Sequence, residues 1–422
     1  MRNQIPRTNS KSARRVAVAL AAVASLLLAG CSATSGPSKS GGGGQTIKIG
    51  IVGPYGTSLL GQNAEQFLDG AQLGIEYIND HGGLPAGDKV QLVTGNDGNT
   101  PADGAAAVRG LLGQGVKLFV ATSTTAVTEA WGGAIDSAGA VAIHNSSDPS
   151  LTGSARPFKN LYRVGVSSDM MAQAVGLTLG PKFQDTNNID MFGYDYVQGH
   201  ATWNALDAAF KDAGLKFGSK TLQYVPTTQT SYLSEITTMN GRIDPTKKNL
   251  LAMLTFGPGY VTFIKQAQSL GMLTKYQAVV STAEYYLEAA AMKGTAPQVW
   301  NSFDVCDYNL FKNPVMDWLL TKAKSKTGFE PNDWSVQGFD SMITMLAAIK
   351  DSGSSDPKAV MGALNGMNMN LAVGKAKMGA ATHQGEVGVP VCETVGDPSQ
   401  PDGVKMLQGV VVPYSELPHP VK

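Results

Sequence analysis

The feature that most constrains the fold of this 422-residue chain is an alternation, repeated twice, of short β-branched runs and longer amphipathic stretches. Each series favours a parallel sheet with helices on both faces, because parallel strands need long crossover connections. The break between the series lies near residues 161–166, which predicts two α/β lobes. The strand candidates are 47–52, 90–93, 116–121 and 141–144 in the first series, and 189–192, 222–225, 250–255 and 277–280 in the second.

Helical periodicity separates these strand candidates. Residues 62–80 place Phe67, Ala71 and Ile78 on one face, and Gly82 and Gly83 end that helix. Further helical stretches are predicted at 199–213, 232–240 and 260–270. A third block, 314–367, is mostly helical and must pack on one of the lobes, and residues 408–413 form a last strand candidate.

The N-terminus is typical of a targeting signal. Arg14 and Arg15 precede an apolar core of thirteen residues, 16–28, which is shorter than the ~20 needed to span a bilayer. The sequence Leu28-Ala29-Gly30-Cys31 then resembles the lipobox of bacterial lipoproteins. Residues 1–30 are therefore predicted to be a lipoprotein signal peptide, and Cys31 the lipidated residue. The alternative is an ordinary signal peptide with an incidental cysteine.

A flexible linker and an extracytoplasmic location follow from this signal. Residues 31–45 are rich in glycine and serine and hold no residue that could enter a core. The mature protein is expected on the outer face of the cell membrane, held there by its lipid. Once Cys31 is lipidated, Cys306 and Cys392 remain, and in an oxidising compartment they are predicted to form a disulfide. Two buried free thiols are the alternative.

Charge and motifs exclude two classes of function. The first thirty residues carry five basic side chains and no acid, so the mature chain has 33 − 5 = 28 basic against 33 acidic residues. This mildly acidic chain has no basic stripe that would bind nucleic acid. An enzyme is not expected either, because the five histidines stand in no catalytic or metal-binding motif and there is no Walker loop. No cofactor or metal is predicted.

Hydroxyl-rich segments follow two strand candidates of the first lobe. Ligands of open α/β sheets bind beyond the carboxyl ends of the strands, where residues 122–125 and 145–148 lie. Hydroxyls and N–H groups at a helix start can bind a carboxylate or an amide. Each of these side chains could instead be an ordinary helix N-cap.

The second lobe offers acids flanked by aromatic residues at its strand ends. Asp195 lies between Tyr194 and Tyr196, and Glu284 precedes Tyr285 and Tyr286. Such a group could bind an ammonium ion by charge and by ring-face contact. The alternative is an acid at a helix start beside a core aromatic.

At these residues the sequence resembles the Leu/Ile/Val-binding family of ABC-transporter solute-binding proteins. The first lobe is the closer match, and in the second lobe residues 265–271 are similar to the family's helix signature. The matching segments of the first lobe are 47–54, 69–71, 78–84, Asp97, Pro101, 116–121 and 147–151.

The resemblance implies a type I periplasmic-binding-protein fold, with two doubly wound α/β lobes joined by a hinge of three crossings. These crossings are expected near Arg163, Asp304 and Pro390, which places Cys306 and Cys392 near the hinge. Lobe 1 would comprise residues 46–165 and about 305–390, and lobe 2 residues 166–304 and about 391–418.

Ligand positions of the family correspond to seven residues of this chain. They are Ser123, Thr124, Thr125, Ser146, Ser147, Tyr196 and Glu284. The resemblance implies hydroxyl groups for a carboxylate on lobe 1 and an acid for an ammonium group on lobe 2. Departures from the family at Leu59, Leu60 and Phe256 indicate a different cleft shape from that of a standard leucine binder.

The predicted function is that of a solute-binding lipoprotein of an ABC importer. Its lobes are expected to close on a small polar ligand, with an amino acid as first choice and an amide, urea or small aromatic acid as alternatives. Its expected partners are the ligand, the transporter permease and the membrane. A ligand-binding sensor that acts with a separate signalling protein is the alternative function.

Overall fold

A computed structural model describes residues 44–56, 60–282, 286–303, 305–327 and 331–421. The predicted signal peptide, Cys31, most of the linker, Leu59, Asp304 and Glu284 lie outside these residues. Within the described ranges, no helix is both long and apolar enough to cross a membrane.

Lobe 1 is built on a fully parallel sheet of five strands in the order β2-β1-β3-β4-β5. The strands are β1 (Thr46–Gly53), β2 (Lys89–Asn96), β3 (Leu118–Ala121), β4 (Val141–His144) and β5 (Leu161–Arg163). They alternate with α1 (Gly61–Asp80), α2 (Pro101–Gly113) and α3 (Thr125–Ser137). β3 and β4 are buried along their whole length, as expected of central strands covered by helices on both faces, and the short edge strand β5 is buried as well.

Lobe 2 repeats this topology. Its parallel strands are β6 (Asn188–Tyr194), β7 (Ser219–Val225), β8 (Asn249–Leu254), β9 (Ala278–Ser281) and β10 (Val299–Asn301). The helices are α4 (Ser168–Leu179), α5 (Val197–Asp212), α6 (Leu233–Arg242), α7 (Gly257–Ser269) and α8 (Tyr286–Ala291). The order β7-β6-β8-β9-β10 matches that of lobe 1, so each lobe has a topological switch point beside its first strand.

The helical block packs on lobe 1. It comprises α9 (Pro314–Thr327), α10 (Asp333–Ser352) and α11 (Pro357–Leu364), followed by the hairpin β11 (Asn368–Leu371) and β12 (Gly374–Lys377). α10 lies against α1 at such close range that a Cβ on Gly338 would stand 2.0 Å from the Phe67 carbonyl oxygen. A Cβ on Gly70 would stand 1.9 Å from the Ser335 carbonyl oxygen, so both helices need glycine at the contact.

Two further strands extend the sheet of lobe 2. β13 (Val389–Gly396) and β14 (Val404–Val412) pair in antiparallel fashion beyond β10, which makes this a mixed sheet of seven strands. Cys392 of β13 forms a disulfide with Cys306, with their Cα atoms 6.0 Å apart. The bond fastens the chain that leaves β10 for lobe 1 to the sheet of lobe 2.

The three crossings between the lobes contact one another. At the first and third crossings, the Arg163 amide donates to the His383 carbonyl at 2.9 Å and the Gly385 amide donates to the Arg163 carbonyl at 2.7 Å. At the second crossing, the Ser302 hydroxyl donates to the Pro390 carbonyl at 2.8 Å. The crossings therefore form one connected hinge.

Candidate ligand-binding cleft

A cavity lies between the lobes, where the carboxyl ends of strands on both sides of each switch point meet. The empty space in it amounts to about 790 Å³, open mouth included. Such clefts at switch points are the usual ligand sites of α/β folds. Its described lining residues are Pro54, Leu60, Asn63, Thr122, Ser123, Thr124, Asn145, Ser146, Ser147, Tyr196, Gln198, Gly199, Thr202, Leu254, Phe256, Thr282, Phe303 and Trp334.

Lobe 1 contributes a polar surface, the hydroxyl wall, made of residues 122–124 after β3 and 145–147 after β4. Three of its side chains, those of Ser123, Thr124 and Asn145, are bonded to lobe 1 or to α10. Ser123 donates to the Asp97 carboxylate at 2.6 Å, and Thr124 donates to the Asn99 side-chain oxygen at 3.2 Å. The Asn145 amide donates to the Thr122 hydroxyl at 3.0 Å and also contacts α10. These bonds fix the wall before any ligand arrives.

Asp97 anchors this wall from behind. It is fully buried, and burial raises the pKa of its carboxyl, while hydrogen bonds from the Ser123 hydroxyl and the Asn99 amide lower that pKa. The Ser123 hydroxyl donates its proton to Asp97, so it can act toward a ligand only as a hydrogen-bond acceptor.

Arg163 holds the second segment of the hydroxyl wall to the hinge. This side chain is fully buried at the end of β5. Its guanidinium donates to the carbonyl oxygens of Ser146 and Asp148 at 2.8 and 2.7 Å, and to the Gln384 side chain at 2.7 Å. One residue thus joins the loop of the cleft to the first and third crossings. Arg163 and burial together keep the pKa of the neighbouring His144 well below its usual value, with burial the larger cause.

The other residues around the cavity include four aromatic side chains, called here the aromatic set: Tyr196, Phe256, Phe303 and Trp334. The rings of Tyr196 and Phe256 meet edge-on with centroids 5.9 Å apart, and those of Phe303 and Trp334 are 6.0 Å apart. None of the described lining residues carries an acidic or basic side chain. The set gives the cleft flat apolar surfaces on which a ring or an aliphatic chain can pack.

Two polar groups of the lining residues, one of them on Trp334 of the aromatic set, have no hydrogen-bond partner among the described residues. The Thr282 hydroxyl, just past β9, and the Trp334 indole N–H, in the first turn of α10, are buried without a hydrogen bond in the described part of the chain. One side-chain bond crosses the cleft, from the Gln198 amide of α5 to the Ser147 hydroxyl of the hydroxyl wall.

Helix α3 begins at the hydroxyl wall without a side-chain cap. Thr124 is its N-cap residue, but its hydroxyl donates to Asn99 and accepts no hydrogen bond from the first turn. The first N–H groups of a helix are unpaired within it and carry partial positive charge. The wall therefore combines hydroxyl oxygens with backbone donors that suit an anionic or carbonyl oxygen.

A family model described as "Periplasmic binding protein" matches residues 46–397, which is most of the chain. The chain belongs to this family. The "Leu/Ile/Val-binding protein homolog 3" of Brucella melitensis is 30% identical over 134 residues, which cover 31% of this chain and 35% of the relative. The chain spans only about a third of the length of the curated relatives that it matches.

Solved structures of periplasmic binding proteins share the fold. An amino acid ABC transporter substrate-binding protein from Pseudomonas fluorescens has a TM-score of 0.77 at 14% identity, covering 88% of this chain and 98% of that one. A solute-binding protein of an ABC transporter from Rhodopseudomonas palustris, solved with p-hydroxybenzoic acid, has a TM-score of 0.74 at 16% identity, covering 87% and 98%.

Within this periplasmic binding protein, the structure brings together most of the predicted ligand residues. Those that line the cavity are Ser123, Thr124, Ser146, Ser147 and Tyr196. Thr125 does not line it: this residue is buried at the start of α3, where its hydroxyl contacts that of Ser146 at 3.0 Å. Glu284 lies outside the described residues. Asp195, the other acid considered for lobe 2, forms an exposed hydrogen bond with His200 at 2.8 Å.

Sequence reasoning missed Phe303, Trp334 and Gln198. Trp334 comes from the helical block, which the resemblance assigned to lobe 1 without indicating which of its residues reach the cleft. Its local signal was a capping box, in which the side chains of Asn332 and Ser335 bond each other's backbone amides. That pattern predicts a helix start but not what the helix start faces.

Proposed function

We propose that this chain is the extracytoplasmic solute-binding component of an ABC importer, whose lobes close on a small polar ligand in the cleft. The observation that carries this proposal is the cavity, to which both lobes contribute strand ends at their switch points. A ligand that contacts both lobes favours the closed state, since only differential affinity can shift a conformational equilibrium. In this proposal lobe 1 comprises residues 46–165 and about 305–390, and lobe 2 comprises 166–304 and about 391–418.

An amino acid is the first candidate ligand. Its carboxylate would meet the uncapped start of α3 together with the hydroxyls of Ser146 and Ser147. Its ammonium group would need an acid, and Glu284 is assigned this role. The described lining supplies no other carboxylate, so the choice of ligand class rests on this single residue.

An aromatic carboxylic acid is the second candidate, and the aromatic set favours it. The two ring pairs offer flat surfaces for a ring, and the same uncapped helix start would bind the carboxylate. Relatives with the same fold were solved with benzoate, 4-hydroxybenzoate and 3,4-dihydroxybenzoic acid.

A thermal-shift screen of amino acids, amides and aromatic acids, followed by titration calorimetry, tests the proposal. If the ligand is an amino acid, Glu284→Gln should weaken binding by about 2–5 kcal/mol, because the ammonium would lose its buried partner. Glu129→Gln, on an exposed position of α3, is the matched control. Equal binding by Glu284→Gln and the parent would remove the ammonium site and favour the aromatic acid.

Closure and absence of turnover are part of the same proposal. Small-angle scattering should show compaction of the mature protein with saturating ligand, and an unchanged scattering profile would contradict closure. The chain is proposed to bind its ligand without converting it. Turnover of an amide or an amino acid by the purified protein would contradict this point.

Anchoring by a lipid on Cys31 is proposed from the lipobox. Cys31→Ser should release the protein to the soluble fraction, and an acylated, membrane-bound variant would contradict the anchor. The alternative function, a sensor with a separate signalling partner, would be favoured if the protein copurified with a kinase or chemoreceptor rather than a permease.

A further inference from the structure

Two buried polar groups at the cleft have no hydrogen-bond partner within the described part of the chain. The Thr282 hydroxyl and the Trp334 indole N–H both belong to residues that line the cavity, and neither has a hydrogen-bond partner in the described structure. Only 5% of Thr282 and 9% of Trp334 is exposed, so bulk water satisfies these groups poorly. An unpaired buried donor is unfavourable, and natural proteins rarely keep one without a reason.

The two groups come from separate parts of the cleft. Thr282 follows β9 in lobe 2, whereas Trp334 opens α10, which packs on α1 of lobe 1. An indole N–H can only donate a hydrogen bond, and a threonine hydroxyl can donate as well as accept. A hydrogen-bond acceptor on a ligand, such as an oxygen, is a group to which both can donate.

The absence of charged side chains among the described lining residues indicates that the ligand group at this position is uncharged. The described lining residues hold no acidic or basic side chain. A second anionic group, beyond the one at the start of α3, would therefore have no cation to offset its burial. A neutral oxygen, such as a hydroxyl, ether or carbonyl, can be buried against two donors at little cost.

We infer that Trp334 and Thr282 are specificity-determining residues that recognise a neutral oxygen on an aromatic carboxylate by donating hydrogen bonds to it. This inference rests on the proposed solute-binding function and narrows it to one ligand class. The carboxylate binds at the hydroxyl wall, the ring packs on the aromatic set, and the ring oxygen accepts hydrogen bonds from Trp334 and Thr282. Ligands of the same shape without this oxygen leave both groups unpaired.

Two ligand pairs of nearly equal shape test this with the mature protein. Calorimetry would compare 4-methoxybenzoate with 4-ethylbenzoate, and 4-hydroxybenzoate with benzoate. The parent protein should prefer the oxygen-bearing member of each pair by about tenfold or more, since one unmade buried hydrogen bond costs roughly that factor in affinity. Trp334→Phe and Thr282→Val keep the apolar shape and should each reduce this preference severalfold.

The chain offers a matched control for each variant. The Trp131 indole N–H and the Thr255 hydroxyl are also buried and unpaired in the described structure, but neither residue lines the cavity. Trp131→Phe and Thr255→Val make the same chemical changes away from the ligand and should leave the preference intact. If Trp334→Phe does not fold, the preference of the parent and its loss in Thr282→Val still decide the question.

Several outcomes would overturn the inference. These are equal affinity of the parent for both members of each pair, a preference that survives in both cleft variants, or the same loss in the controls. If L-leucine or another aliphatic amino acid binds and no aromatic carboxylate does, the inference fails but the proposed solute-binding function stands. If no amino acid, amide or aromatic acid binds, the proposed function fails as well.

Discussion

The hydroxyl wall and the aromatic set bound the same cleft, but they differ in how completely their polar groups are bonded without a ligand. Ser123, Thr124 and Asn145 of the hydroxyl wall each bond to a partner in lobe 1 or α10. By contrast, Trp334 of the aromatic set and the lining residue Thr282 have polar groups that no described residue satisfies. The difference indicates that the hydroxyl wall is preorganised, which lowers the entropic cost of binding, whereas the aromatic side is completed by the ligand.

Replacing Arg163 should have the largest effect, because this residue holds the preorganised hydroxyl wall in place. Arg163→Met removes the guanidinium donor from the buried oxygens of Ser146, Asp148 and Gln384. The Asp148 carbonyl keeps only a 3.3 Å bond from the Leu151 amide, and the Gln384 side chain only a 3.3 Å bond from the Thr152 hydroxyl. Each lost bond to the charged guanidinium costs at least about 1 kcal/mol, so the three together should lower the free energy of unfolding by about 3 kcal/mol or more. Urea denaturation measures this loss. Arg109→Met, at an exposed position of α2, should change stability by no more than about 0.5 kcal/mol. Similar losses in both variants would contradict the role given to Arg163.

Ser123→Ala should loosen the hydroxyl wall at its other segment. The Asp97 carboxylate loses a hydrogen bond, which costs about 1.5–3 kcal/mol for a bond to a charged group. Since the Ser123 hydroxyl lowers the pKa of Asp97, its loss should raise that pKa further. The destabilisation should therefore be largest at neutral pH and shrink in acid, as Asp97 takes up a proton. A loss that does not vary with pH would show that Asp97 is not the partner that matters.

Gly338→Ala should disturb both sides of the cleft together, because the first turns of α10 carry Trp334 and the Gln337 side chain that accepts from Asn145. The added methyl group meets the Phe67 carbonyl at 2.0 Å, and such overpacking costs about 1–3 kcal/mol. Ligand affinity should fall as well. Gly362→Ala in α11, where a Cβ meets nothing within 4 Å, should be neutral or stabilising by up to about 1 kcal/mol. A stable, tightly binding Gly338→Ala would contradict the close contact of α1 and α10.

His383 gives a smaller effect, at the hinge rather than at the cleft. Burial and the adjacent Arg156 guanidinium lower the pKa of His383 to about 4, with burial the larger cause. The neutral ring stacks on Tyr162, contacts Arg156 through Nε2 at 2.9 Å and contacts the Leu161 carbonyl through Nδ1 at 3.0 Å.

The sign of the pH effect follows from this depressed pKa. Between an unfolded pKa of about 6.5 and the folded value of about 4, the unfolded state binds more protons. The stability supplied by neutral His383 is thus present above pH ~6.5 and is lost as the pH falls through the folded pKa. In His383→Asn the melting temperature should fall less steeply as the pH is lowered, because the titrating ring is gone. Asparagine is the replacement because it tolerates the positive φ of 55° at this position. An identical pH profile would contradict the prediction.

The sequence predicted the lobes well because their strands and helices show strong periodicity. Strand β4 begins at Val141 and ends at His144, as predicted, and α1 begins at Gly61, one residue before the predicted start. The short strand β5 was missed, since its three residues fell in the predicted break. β10 to β13 were not predicted either. β10, β11 and β12 are only three or four residues long, and β13 lies outside the parallel β/α series, between β10 and the edge strand β14.

The residues of the site also fall into those that the sequence could predict and those that it could not. Residues that follow a predicted strand, such as Ser123 and Ser147, could be found because strand ends define the cleft. Trp334 and Phe303 could not, since their positions depend on how the second crossing and α10 pack on lobe 1. The place of Thr125 was equally hidden, because only tertiary packing brings its hydroxyl against that of Ser146, which lines the cavity in its stead.

Hydrogen exchange measured by mass spectrometry, with and without the tightest binder from the screen, tests most directly whether a ligand joins the two sides of the cleft. Without ligand, residues 122–128, which form the first segment of the hydroxyl wall and the start of α3, should already exchange slowly. With ligand, residues 122–128 and 196–202 should both gain protection, and the larger gain should fall on 196–202 in lobe 2. Protection confined to one lobe, or absent from both segments while the ligand is bound, would contradict the account.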